Sequence, residues 1–231
     1  MSSDDVSVVL VHGAWADGSS WSKIIRPLAA AGVKAVAAPL PLTSFQNDVA
    51  ALDRALERAS GPVVLAGHAY AGAVIAATRS EKVKALVYVA ALAPDEGETV
   101  ADVFYRADPH PKAPQLAPDE HGFIWMPEEG FGQAVAHKVS QDQATILSAV
   151  QRPIALKCIQ EKAPTPAWKT KPSWFLLAEE DRMIVPEAQR FMAERMGATI
   201  RSHAVDHSPM YTAPNLVVDV VLEAAREAIR K

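Results

Sequence analysis

The chain has 231 residues, with 23 Lys and Arg against 27 Asp and Glu for a net charge of −4, which gives no electrostatic case for nucleic acid or an anionic membrane. Hydrophobic residues make up 49%, enough for a sizeable core and too many for a disordered chain, and the length suits one α/β domain with a modest insertion. The single cysteine, Cys158, excludes an internal disulfide, no run approaches a membrane span, and the acidic start Met1-Ser2-Ser3-Asp4-Asp5 leads into no signal-peptide pattern, so a cytoplasmic protein is expected.

Residues 6–11 are nearly all apolar and stop at His12-Gly13, which predicts a central strand. A loop to Trp21, a helix over 22–31 ended by Gly32 and a second strand over 33–37 follow. Thr43-Ser44-Phe45-Gln46 has capping-box form, with Thr43 and Gln46 as the capping side chains. Phe45, Val49, Leu52 and Leu56 then mark one face of a helix that Gly61 closes. Residues 63–66 read as a buried parallel strand, 70–79 as a helix, and 83–90 as the next strand.

Beyond about Pro94 the texture changes. Residues 95–170 are rich in Pro, charge and short helical pieces, with no convincing buried strand, and Asp108-Pro109-His110-Pro111-Lys112-Ala113-Pro114 reads as loop. A long excursion carrying Phe104, Phe123, Trp125, Met126 and Phe131 predicts a mainly helical lid that roofs an apolar pocket. The core resumes with a strand over 173–178, a helix from Pro186 to before Gly197, and a strand over 198–205. A last helix starts near Pro214, with Val217, Val218, Val221, Leu222, Ala225 and Ile229 on one face. The expected architecture is α/β: a mostly parallel sheet covered on both faces, built from 1–94 and 171–231, with 95–170 inserted as a lid.

In open α/β sheets reactive groups collect at the carboxyl ends of strands. Ala69, Asp181 and His207 all fall there. Gly67-His68-Ala69-Tyr70-Ala71 has small residues two places either side of position 69, the spacing of a nucleophile elbow, but its centre is a methyl group. Gly67-x-Ala69-x-x-Gly72 also approaches a dinucleotide fingerprint. It lacks the middle glycine and an acidic residue where Tyr88-Val89-Ala90-Ala91 stands, so nucleotide binding is set aside. His110, His121, His137 and His203 have no partner at metal-ligand spacing, Cys158 reads as a buried apolar residue, and neither metal nor cofactor is expected.

Four stretches, in this order, resemble the α/β-hydrolase superfamily over nearly the whole chain: Val8-Val9-Leu10-Val11-His12-Gly13-Ala14-Trp15 with Trp21, Gly67-His68-Ala69-Tyr70-Ala71-Gly72, Glu180-Asp181-Arg182 and Asp206-His207-Ser208. The likeness is to the small esterases and hydroxynitrile lyases, the plant methylesterases among them. It implies a triad order in which Ala69 replaces the nucleophile serine, Asp181 is the acid and His207 the base. It also implies an oxyanion hole from the backbone N–H groups of Ala14 (or Trp15) and Tyr70, with His12 and His68 as packing residues. Trp15, Phe104 and Trp125 are the expected substrate contacts.

Two origins of Ala69 stay open at this stage: a substituted serine esterase for small apolar esters, or a protein that naturally lacks the serine. In the second case His207 and Asp181 are left as a general-base pair, suited to a lyase or a cofactor-free oxygenase-type reaction. A ligand-binding protein without catalysis is the third reading. The expected partner is a small molecule, and a homodimer is left open.

Overall fold

The structure, a computed structural model, describes residues 6–230, the side chains of Ile229 and Arg230 excepted. The amino-terminal part runs β1 (Ser7–Val11), a 3-10 turn (Gly18–Trp21), α1 (Ser22–Ala30), β2 (Lys34–Ala38), α2 (Phe45–Arg58), β3 (Val63–His68), α3 (Ala71–Ala76) and β4 (Val83–Val89). The middle segment holds α4 (Val100–Phe104), β5 (Phe123–Ile124), α5 (Glu128–Gly130) running into a π turn (Phe131–Val135), α6 (Gln141–Ala149), β6 (Ile154–Ala155) and α7 (Leu156–Gln160). The last part is β7 (Ser173–Ala178), α8 (Pro186–Arg195), β8 (Thr199–His203), α9 (Pro209–Thr212) and α10 (Pro214–Arg230).

Six strands form one sheet in the order β2-β1-β3-β4-β7-β8, and every neighbouring pair is parallel. Strand periodicity divides the core in two. Val9, Val11, Leu65, Tyr88 and Phe175 pack on the face that holds α2 and α3. Val8, Leu10, Val64, Val87 and Trp174 pack on the other, against Trp21, Ile24 and Leu28 near α1 and Val217, Val221 and Ala225 of α10. The central strands are buried on both faces, which is why their sequences are nearly continuous apolar runs. In the predicted stripe of α10, Leu222 is only partly buried, and the Ile229 side chain lies outside the described residues.

Three local expectations are corrected. Helix α2 is capped by Ser44, not Thr43: the Ser44 hydroxyl accepts the Asn47 N–H at 3.1 Å. Because the helix begins at Phe45, its third residue is Asn47, whose side chain bonds Thr43 Oγ1, while the Gln46 backbone N–H goes to Glu161. Helix α3 stops at Ala76 rather than near 79, since its last turn tightens into i→i+3 bonds, Ala77 N–H to Val74 O and Thr78 N–H to Ile75 O. Residues 95–170 are not free of strand: β5 and β6 pair antiparallel, Phe123 with Ala155 and Ile124 with Ile154.

Candidate active site

Strand β3 delivers the chain into a tight turn at Ala69, whose φ is +50°. A left-handed alanine is strained, and the surrounding backbone holds it there. Its N–H donates to Val89 O at 3.2 Å, and its carbonyl accepts Gly72 N–H and Leu92 N–H, both at 3.0 Å. Glycine is required at two flanking places. A Cβ on Gly67 would lie 2.8 Å from Ala71 O, and one on Gly72 would run into Leu92 O. The elbow is therefore complete in backbone terms although its central side chain is a methyl group.

His207 and Asp181 come together from the loops after β8 and β7. Nδ1 of His207 lies 2.7 Å from Asp181 Oδ2. Since a carboxylate accepts, Nδ1 carries the proton, and in the neutral ring Nε2 presents a lone pair. Asp181 is itself fixed from several sides. Its Oδ1 accepts Met183 N–H at 2.7 Å and Ile184 N–H at 2.9 Å, and Oδ2 also accepts Gln189 Nε2 at 2.8 Å. His68 braces His207 from the elbow side, donating from Nε2 to the His207 carbonyl at 2.7 Å, with the two rings 4.8 Å apart. Burial, then the neighbouring His207, holds the His68 pKa well below the usual histidine value. His12 is buried under the first loop, donating from Nδ1 to Gly13 O and accepting Leu40 N–H at Nε2.

Ala14, Ala69, Tyr70 and His207 line one cavity. Trp15 also lines it, at φ +57°, and its indole N–H donates to Ile124 O at 3.0 Å. Its backbone N–H, however, is taken by Arg152 O at 3.1 Å. Trp15 therefore has no free backbone N–H to offer the cavity. Tyr70 points its hydroxyl away from solvent to Asp48 Oδ2 at 2.7 Å, and Asp48 Oδ1 accepts Leu42 N–H at 2.7 Å. Burial pushes both the Asp48 carboxyl and the Tyr70 hydroxyl up. Cys158 is buried against Asp48, 3.5 Å from Oδ2.

The middle segment supplies much of the remaining wall, including Phe104, Leu116, Ile124, Phe131 and Ile154, and among the described residues no Asp, Glu, Lys or Arg lines the cavity. Trp125 is not part of it, contrary to the sequence expectation. It is 51% exposed, and its indole N–H donates to Asp119 at 3.2 Å. Extended chain alternates its side chains, so when Ile124 turns inward Trp125 turns out. Phe123 and Met126 also lie off the cavity wall, Met126 packing in one buried cluster with Phe131. Among the described residues, no group of three or more His, Cys, Asp or Glu is placed to hold a metal ion, and no helix is long and apolar enough to cross a membrane.

Two residues of the site were not singled out from sequence. Gln189 is fully buried on α8, between Ala188 and Met192, and Asp48 is fully buried on the Phe45–Leu52 stripe of α2. In each, a polar residue on the apolar face of a helix is the readable signal.

Comparison with known proteins agrees with the fold. A sequence profile described as Alpha/beta hydrolase family matches residues 8–220. An alpha/beta hydrolase, nvfD, of Aspergillus novofumigatus is 27% identical over 254 residues, covering 96% of this chain and 98% of its own. Salicylic acid-binding protein 2 of Nicotiana tabacum is 26% identical over 253 residues, covering 95% and 96%. Among solved structures, a pyrethroid hydrolase from Sphingobium faniae JZ-2 superposes with a TM-score of 0.82 at 19% identity, over 98% of this chain and 100% of that one. At that identity the likeness is one of fold.

Proposed function

The chain belongs to the alpha/beta hydrolase family, and from that premise we propose an enzyme of carboxylester-hydrolase type for small apolar carbonyl compounds, in which His207 acts as a general base without a covalent nucleophile. The observation that carries the reading is the 2.7 Å bond between His207 Nδ1 and Asp181 Oδ2, with His207 in the same cavity wall as Ala69. Residues 95–170 act as the lid, and the uncharged wall favours a neutral ligand.

The backbone N–H groups of Ala14 and Tyr70 receive the substrate carbonyl oxygen and stabilise the negative charge it gains under attack. His207 Nε2 takes a proton from a water molecule as that water adds to the carbonyl carbon. Asp181 holds the ring tautomer and stabilises the imidazolium that results. On collapse of the tetrahedral species the imidazolium returns the proton to the leaving alcohol oxygen, and acid and alcohol are released. No acyl-enzyme forms at residue 69, because a methyl group has no lone pair.

The missing hydroxyl also favours a second reading. The same base could remove a proton from a carbonyl-bearing substrate, as a lyase or a cofactor-free oxygenase-type enzyme requires. Incubating the protein with p-nitrophenyl esters of increasing acyl length tests the first reading, and exchange of α-hydrogens of small aryl ketones in heavy water tests the second. Turnover in either is expected. Saturable binding of these compounds with neither reaction would leave a ligand-binding role.

A further inference from the structure

Both neighbours of Asp181 and both neighbours of His207 bond to one short stretch of the middle segment. Arg182 donates to Gln133 O at 2.9 Å, and Glu180 pairs with Lys138 Nζ at 2.5 Å. Ser208 donates to Val135 O at 2.7 Å, and Asp206 Oδ2 accepts the Lys138 backbone N–H at 3.1 Å. Lys138 Nζ also reaches Ala204 O at 2.8 Å. The stretch begins in the π turn Phe131–Val135, closed by Ala136 N–H to Phe131 O. A helix end leaves carbonyls without internal partners, and Ser208 and Arg182 serve two of them. Phe131 and Val135 of the same turn line the cavity, and Met183 packs with them.

The acid and the base sit on separate loops, so something must hold those loops in register to keep a 2.7 Å bond between them. We propose that residues 131–138 are the clamp that sets the Asp181–His207 geometry, with Arg182, Lys138, Asp206 and Ser208 as positioning residues. Each surface tie is weak taken alone. Together they grip one rigid turn from both loops, and opening the turn frees both loops at once. This inference rests on His207 being the base of the proposed reaction.

The test reads the base directly and needs no substrate: hydrogen exchange of the His207 Nδ1–H, followed by NMR in the parent, in Lys138→Met/Arg182→Met, and in Lys169→Met. The last removes the ion pair with Asp95 that joins the two ends of the segment and serves as control. The clamp predicts exchange at least about tenfold faster in the double variant, with the urea midpoint nearly unchanged, and parent-like exchange in the control. Unchanged exchange in the double variant, or equal acceleration in the control, overturns the clamp while leaving the base in place. If the parent shows no hydrogen-bonded Nδ1–H, the base reading fails and the clamp with it.

Discussion

Gln189 and His207 meet at a single oxygen, Asp181 Oδ2, which receives Gln189 Nε2 at 2.8 Å and His207 Nδ1 at 2.7 Å. Gln189 also donates to Ile184 O at 2.7 Å and accepts Ala178 N–H at 3.1 Å. One buried amide thus locks Asp181, the loop that carries it and the end of β7. Gln189→Leu keeps the volume but leaves three buried polar groups short of a partner. It should lower stability by about 2 kcal/mol or more, read from the urea midpoint, because an unmet buried group costs about 1–3 kcal/mol. A variant within experimental error of the parent would show that the amide is dispensable.

The elbow predicts a contrast between two glycines. A Cβ at Gly72 would strike Leu92 O and stand 2.8 Å from Ala91 Cβ, whereas at Gly132 its nearest neighbour would be 3.8 Å away. Backbone on the far side cannot yield as a side chain can. Gly72→Ala should therefore cost about 3 kcal/mol or prevent folding, and Gly132→Ala should be neutral or stabilise by up to about 1 kcal/mol. Chemical denaturation of both checks the pair, and equal effects would contradict the close packing at the elbow.

Much of this architecture is legible in the sequence because the central strands are buried on both faces and so spell continuous apolar runs. The middle segment, residues 95–170, is less so. A two-residue pairing such as Phe123–Ile124 with Ile154–Ala155 is too short to show alternation. Without that register, Trp125 reads as a cavity wall when it is Ile124 that faces in. Strand ends gather at one edge of a parallel sheet, and that order, read with the elbow spacing and the family-like motifs, nominates Ala69, Asp181 and His207. Gln189 and Asp48 escape for another reason: their one signal is a polar residue on an apolar helix face, and it is weak beside the many polar residues that helices place at the surface.

Acid should weaken the fold through the buried histidines. Burial holds His12 and His68 below the ordinary histidine value of 6.5, so below that pH the unfolded chain binds protons that the folded chain refuses. Stability is then fully present above about pH 7 and falls as pH drops through 6.5, by at most about 1.4 kcal/mol per pH unit for each histidine while the pH stays above its folded-state value. Asp48, raised above the usual 3.8, acts in the opposite sense only at lower pH, where carboxylates titrate. Urea midpoints between pH 7.5 and 5 check this, and a flat profile would contradict neutral burial of both rings.

The direct measure of His207 as base at an elbow that lacks its nucleophile is the p-nitrophenyl acetate rate of three proteins, each verified as folded: the chain as it stands, His207→Ala, and Ala69→Ser. His207→Ala should lose about 10²-fold or more, the usual share of a general base. Ala69→Ser should gain about 10²-fold or more and form an acyl-enzyme visible by mass, since a hydroxyl there meets both the base and the Ala14 and Tyr70 amides. The predicted order is Ala69→Ser fastest, the chain as it stands next, and His207→Ala slowest. A His207→Ala protein that hydrolyses the ester as fast as the parent would contradict the assignment of the base.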